Sequence, residues 1–202
     1  MSLVLAAFTA GRAETMHIIT SRDGLSSMSV FCLHQDRSGY MWSGTYEGLN
    51  RHRGYDIDVY RSGFGESGQI SGFIIEKIHE SDDGALWIHS NYGFDRFNTP
   101  TGMVEHHPEI NGSYKSAASP GGMAVAMKSD GTFFYYDNEA RKFVVADLPS
   151  VRYSDIINMM FDSSGRLMVA RRDGLTIFAV KSADGGQCRF EPADTFTFDT
   201  PV

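Results

Sequence analysis

The stretch SVFCLHQDRSGYMWSGTYEGLNRHRGYDIDVYR, residues 29–61, packs an Asp-x-x-Gly turn, a tryptophan, a Gly-Thr pair and a Gly-Leu pair into one short segment. The alternating run at 29–35 stops at Asp36-Arg37-Ser38-Gly39. An aspartate holds such a turn by accepting backbone N–H bonds, and the glycine supplies positive φ. Residues 40–45 read as a second strand, with Trp42 and Gly44 on one face by the period of two. Tyr46-Glu47-Gly48 makes the next turn, and a third strand begins at Gly48. Tyr55, Ile57 and Val59 then alternate with Asp56, Asp58 and Tyr60, a fourth strand with one polar face, as an outer edge requires.

The frame recurs. Trp42 follows Gly39 by three residues and Gly48-Leu49 follows it by nine. Trp87 and Gly93-Phe94 stand at the same distances from Gly84, and Met168 and Gly174-Leu175 from Gly165. A weaker copy has its turn at Asp130-Gly131 and lacks the second glycine, so the turn glycines 39, 84, 131 and 165 are spaced 45, 47 and 34 apart. Four short antiparallel strands repeated at this period are the blade of a β-propeller. A β-sandwich also has evenly spaced strands, but the fixed Gly–Trp–Gly-Leu frame favours the propeller. The expected fold is all-β, with four blades at roughly 29–61, 70–108, 122–148 and 154–192. It is expected to be an incomplete propeller, whose open edges call for another copy, a distorted closure or reduced stability.

The segment from Ser29 to Arg51 closely resembles the repeat of two-component regulator propellers. The pattern is carried by Val30, Asp36, Gly39, Tyr40, Trp42, Gly44, Thr45, Gly48, Leu49, Asn50 and Arg51. The lead-in from Thr20 to Val30 resembles that family's entry into its first blade. The second copy keeps Asp83, Gly84, Trp87, Gly93 and Arg96 but has His89-Ser90 in place of Gly-Thr. The fourth keeps Asp162, Gly165, Gly174 and Leu175. The resemblance implies the N-terminal part of a periplasmic sensor region, belonging to a hybrid histidine kinase that is anchored in the inner membrane and works as a homodimer. It also implies recognition of an oligosaccharide to control polysaccharide-utilisation genes, without catalysis by the propeller.

Other features bound the reading. A net charge of −7 with interspersed signs argues against a nucleic-acid partner. Residues 1–13 read as the remnant of a secretory signal, an apolar run before a small-x-small site. No stretch has the ~20 apolar residues of a membrane helix. Cys32 and Cys188 lie far apart in sequence and are not expected to pair. None of the seven histidines has metal-ligand spacing, so neither metal nor cofactor is expected. Adjacent His106 and His107 point to opposite sides of a strand or sit in a loop. Two other functions stay open. One is a generic protein-interaction propeller. The other is an Asp-box glycoside hydrolase of sialidase type, for which no pair of carboxylates stands out.

In a propeller, the turns joining second to third strands share one rim with the linkers between blades. Those turns hold Tyr46-Glu47, Asn91-Tyr92 and Arg171-Arg172, and the linkers span 62–71 and 109–120. Sugars need aromatic faces for their C–H surfaces and Asn, Glu or Arg for their hydroxyls. Tyr46, Glu47, Asn91, Tyr92, Arg171 and Arg172 are therefore the candidate ligand-binding residues. Trp42 and Trp87 are assigned to the core between blades.

Overall fold

The computed structural model describes residues 18–63, 69–119, 121–182 and 188–198. The proposed leader at 1–13 lies outside them. Blade 1 comprises β1 (Val30–Gln35), β2 (Met41–Thr45), β3 (Gly48–Arg53) and β4 (Asp56–Tyr60). Blade 2 comprises β5 (Ile75–Glu80), β6 (Ala85–Ser90), β7 (Phe94–Asn98) and β8 (Val104–Glu105). Blade 3 comprises β9 (Tyr114–Ala118), β10 (Ala124–Lys128), β11 (Phe133–Asp137) and β12 (Lys142–Ala146). Blade 4 comprises β13 (Ile156–Phe161), β14 (Leu167–Arg171), β15 (Gly174–Ser182) and β16 (Cys188–Thr197). Each blade is an antiparallel meander with its strands in chain order. The inner strands neighbour one another as β1, β5, β9, β13, and the arc does not close into a ring. The architecture is an all-β, incomplete propeller.

One hydrogen-bond signature marks the first turn of every blade and corrects two readings of the sequence. Asp36 N–H bonds Tyr40 O (3.0 Å), and Gly39 N–H bonds back to Asp36 O (2.9 Å). The same pair of bonds is made by Ser81 and Gly84, by Ser119 and Gly122, and by Asp162 and Gly165. In blade 3 Lys128 and Gly131 make the same pair of bonds, and it is the strand order that starts the frame at Gly122, between β9 and β10, not at Gly131. Gly131 lies nine residues on, in the second turn, where the frame's second glycine belongs. The linker expected at 109–120 correspondingly contains the inner strand β9, whose run Tyr-Lys-Ser-Ala-Ala carries no β-branched residue to advertise it. In blade 2 the counterpart of Asp36 is Ser81. Asp83 stands two residues later, bonds Ala85 N–H (3.2 Å) and pairs with Arg96.

The core lies between blades rather than within one. Trp42, Leu49, Ile75, Leu86, Ile88 and Phe97 fill the seam between blades 1 and 2. Trp87, Phe94, Tyr114, Phe134, Tyr136 and Phe143 fill the next. Val125, Met127, Tyr135, Met159, Val169 and Phe178 belong to the third. Val125 occupies in blade 3 the place of the two tryptophans. Tyr60 was expected on the polar outer face of its strand. Instead it stacks on Trp42 (5.9 Å) and meets Phe97 edge-on (4.8 Å), because an outer strand here is still pressed against the next blade. Asp58 on the same face pairs with Arg51 at 2.7 Å.

A second device repeats with the blades. Ser26 N–H donates to Asn50 Oδ1 (2.8 Å), and Ser71 N–H donates to Asp95 Oδ2 (2.7 Å). In both cases a linker serine is latched to a third-strand Asx residue twenty-four positions later. The first latch lays the lead-in across the outward face of blade 1, where Leu25 is buried and Ser26 Oγ also meets Thr45 Oγ1 at 2.8 Å. The outward face of blade 4 has no such cover among the described residues. Ile157, Met160 and Phe196 are each about half exposed.

Candidate functional site: the second-turn rim

Each second turn is tied to the segment that leads into its blade. Tyr46 N–H bonds Ser29 O (3.0 Å), Asn91 N–H bonds Ile74 O (3.1 Å), and Arg172 N–H bonds Asp155 O (3.3 Å). These bonds hold the second turns and the linkers on one rim. Where blade 1 closes its turn with Thr45 Oγ1 on Gly48 O (3.0 Å), blade 2 uses Ser90 Oγ on Gly93 O (2.9 Å). Only the hydroxyl is needed, so serine suffices.

On this rim the rings of Tyr46, Phe73 and Tyr92 form an arc across the seam of blades 1 and 2. Successive centroids are 5.8 Å apart, and both tyrosines are about half exposed. A shallow pocket of about 420 Å³ lies beside it, lined by Tyr46, Glu47, Arg61, Ser62 and Phe73. Aromatic faces flanked by a carboxylate and a guanidinium offer C–H/π contact plus hydroxyl recognition.

Of the six candidate residues, the rim thus unites Tyr46, Glu47 and Tyr92. Asn91 neighbours them, but its Oδ1 accepts the N–H groups of both Phe73 and Ile74 (3.1 Å each), a structural duty. Arg171 and Arg172 lie on the second turn of blade 4, two blades from Tyr92. Arg171 is largely buried, with Nε 3.4 Å from Asp173. Phe73 and Arg61 were missed from the sequence. An aromatic residue within a glycine-containing linker was the available signal for Phe73.

His89 stands where blade 1 has Gly44. It is 5% exposed, stacked on Tyr114 (centroids 4.2 Å, 15°), with Nδ1 2.6 Å from Ser116 Oγ. Burial and the nearby Lys77 push its pKa down to about 3, and burial pushes that of His79 down to about 4. Lys77, whose pKa burial also lowers, crosses from blade 2 to bond Asn158 Oδ1 in blade 4 (2.6 Å). Both imidazoles fold in neutral and are protonated near pH 6.5 once the chain unfolds. The unfolded state then binds more protons, so stability should hold above about pH 6.5. Below it, stability should fall by up to about 1.4 kcal/mol per pH unit per histidine. Urea midpoints at pH 7.5, 6 and 5 check this, and His79→Gln should flatten the slope.

One cluster imitates a catalytic triad. Asp95, wholly buried, has Oδ1 2.6 Å from Ser71 Oγ and 3.0 Å from His106 Nδ1. A triad needs the imidazole between hydroxyl and carboxylate. Here the serine hydroxyl bonds the carboxylate itself, so the cluster is an extended form of the blade latch. His107 turns the other way, into Trp87, Tyr136 and Phe143. No group of three metal-ligating side chains occurs among the described residues.

Residues 24–47 match the model of the two component regulator propeller, from the lead-in over blade 1 to its second turn. Over that stretch the chain is similar to a two-component regulator propeller repeat. The stretch includes the turn of Asp36, the buried Trp42 and the rim residues Tyr46 and Glu47. A histidine kinase P4 of Formosa agariphila is 42% identical over 52 residues, 26% of this chain and 4% of that protein. The extracellular domain of a hybrid two component system from B. thetaiotaomicron superposes with a TM-score of 0.64 at 17% identity. It covers 92% of this chain and 31% of the other. An auxiliary nutrient binding protein from Bacteroides thetaiotaomicron superposes with a TM-score of 0.60 at 9% identity, covering 82% of this chain and 41% of the other. At these identities the structural likeness is one of fold. The chain spans less than a third of the sensor domain and a small fraction of the kinase.

Proposed function

We propose that this chain is part of the extracytoplasmic, periplasmic ligand-sensing region of a hybrid sensor histidine kinase. It recognises an oligosaccharide, controls genes of polysaccharide utilisation and is itself non-catalytic. Its parent sensor works as a homodimer. The observation that carries the reading is the exposed arc Tyr46–Phe73–Tyr92 beside Glu47, on the rim formed by the two-component regulator propeller repeat.

The test is calorimetric titration of the purified chain with neutral and acidic oligosaccharides of two to six units. Tyr46→Ala with Tyr92→Ala should weaken the binding found by tenfold or more while shifting Tm by less than about 3 °C, since exposed substitutions cost little. Unchanged affinity in that variant would overturn the rim as the site. The uncovered apolar face of blade 4 favours a second reading, a protein-interaction propeller, because such patches mark protein contacts. Absence of any glycan binding, with capture of a protein partner lost in Met160→Lys, would favour it.

A further inference from the structure

The inner strands β1, β5 and β13 each carry a register shift near their start, at Val30/Cys32, Ile75/Lys77 and Ile156/Asn158. A bulge adds a residue that escapes the pleat and re-aims its side chain. The extra residues are Phe31, Glu76 and Ile157, all exposed. Glu76 alone is polar, and it opens into a cleft of about 300 Å³ at the seam of blades 2 and 3.

Blade 2 supplies Glu76, His89 and Asn91 to this cleft; blade 3 supplies Tyr114 and Lys115; Tyr153 comes from the linker to blade 4. His89 Nε2 lies 3.5 Å from Glu76 Oε2 from behind. Nδ1 of the same ring is 2.6 Å from Ser116 Oγ, so Nε2 is the ring nitrogen left facing the carboxylate. Tyr114 O–H is spent on Gly93 O (2.6 Å) and Ser90 O (3.0 Å), which fixes the back wall. Lys115 Nζ sits 5.9 Å from the centre of the Tyr153 ring. The front of the cleft thus presents one strong acceptor, one strong donor and an aromatic edge. Asn91 is adjacent in sequence to Tyr92, so the cleft abuts the end of the aromatic arc.

We infer that this cleft is a subsite for one neutral, hydroxyl-rich sugar ring, clamped between blades 2 and 3 and continuous with the rim arc. A volume at the lower end of ligand pockets suits one ring and not a chain. Ring hydroxyls satisfy both Glu76 and Lys115, because each hydroxyl donates and accepts. An anionic sugar meets the Glu76 carboxylate and a cationic one meets the Lys115 ammonium, each at a like charge. The inference rests on the carbohydrate reading given above.

Two probe sets separate the two ideas. The first is the methyl glycosides of glucose, galactose and mannose, observed by saturation-transfer NMR on the full chain. The second is the neutral and carboxylated oligosaccharides of up to six units. One methyl glycoside should bind, Glu76→Gln and Lys115→Met should each weaken it at least tenfold, and the Tyr46→Ala/Tyr92→Ala variant should retain it. Circular dichroism melts confirm that each variant is folded. If oligosaccharides bind and depend on the tyrosines while the cleft variants bind like the unmodified chain, the cleft is no subsite and the sensor reading survives. Tighter binding of carboxylated than neutral sugars would overturn the ligand class. No binding by any probe would overturn both ideas.

Discussion

Trp42→Ala and Trp87→Ala should each cost about 3–5 kcal/mol, the range for removing a buried aromatic. Both rings are fully buried, each at the centre of a blade seam. Phenylalanine separates the two sites. Trp42 Nε1 donates to Asp36 Oδ2 at 2.7 Å, and the other oxygen of that carboxylate accepts Tyr40 N–H at 2.9 Å. Trp42→Phe strips a nearly buried carboxylate of a partner, so about 1.5–3 kcal/mol is lost beyond the packing term. Among the described residues Trp87 Nε1 has no hydrogen-bond partner, because Ser81 stands where Asp36 would be and its Oγ is equally unmatched. Trp87→Phe should therefore cost only its packing term, and Ser81→Asp should stabilise the fold by about 1 kcal/mol by recreating the pair. Chemical denaturation of the five variants measures this. Equal losses for the two Trp→Phe changes would remove the Asp36–Trp42 bond as a source of stability.

Gly44 should tolerate nothing larger. A Cβ there would stand 2.5 Å from Cys32 Sγ, 2.7 Å from Ile75 O and 2.8 Å from Ile75 Cγ2. Ile75 O belongs to the backbone of the next blade and cannot swing aside, so the seam itself must open. Gly44→Ala should cost about 3 kcal/mol, the upper part of the usual overpacking range. Gly44→His, which copies the residue found at the same place in blade 2, should leave the chain unfolded at room temperature. His89→Gly should be destabilising for the opposite reason, since it empties a site filled by a stacked ring. If Gly44→Ala melted with the unmodified chain, the close approach of blades 1 and 2 would be wrong.

These contrasts show what the sequence makes legible. Blade 1 satisfies every position of its repeat, and its strands, turns and buried tryptophan follow from spacing alone. Blade 3 misled because Val125 replaces the tryptophan and β9 has strand-poor composition. The visible Gly131 was then read as the first turn rather than the second. Tyr60 misled because alternation along one strand cannot show that the next blade covers one face and the lead-in the other. On the rim, Tyr46, Glu47 and Tyr92 were legible because turn positions carry side chains outward. Asn91 also sat at the right place, yet its local bonds to Phe73 and Ile74 are invisible in one dimension. Glu76 could not be found at all, since a bulge inverts the in-and-out rule by which strand residues are assigned.

The sealing of blade 1 by its own lead-in has a kinetic meaning. Each latch joins residues only twenty-four positions apart, and each meander closes on itself before the next begins. Contacts of such short range form early and cheaply. As the chain leaves the ribosome, the first sheet finds a lid already made, and each later sheet finds a finished template to condense upon. Each described sheet closes locally and packs mainly on its neighbours, so structural damage is felt by neighbouring sheets before distant ones.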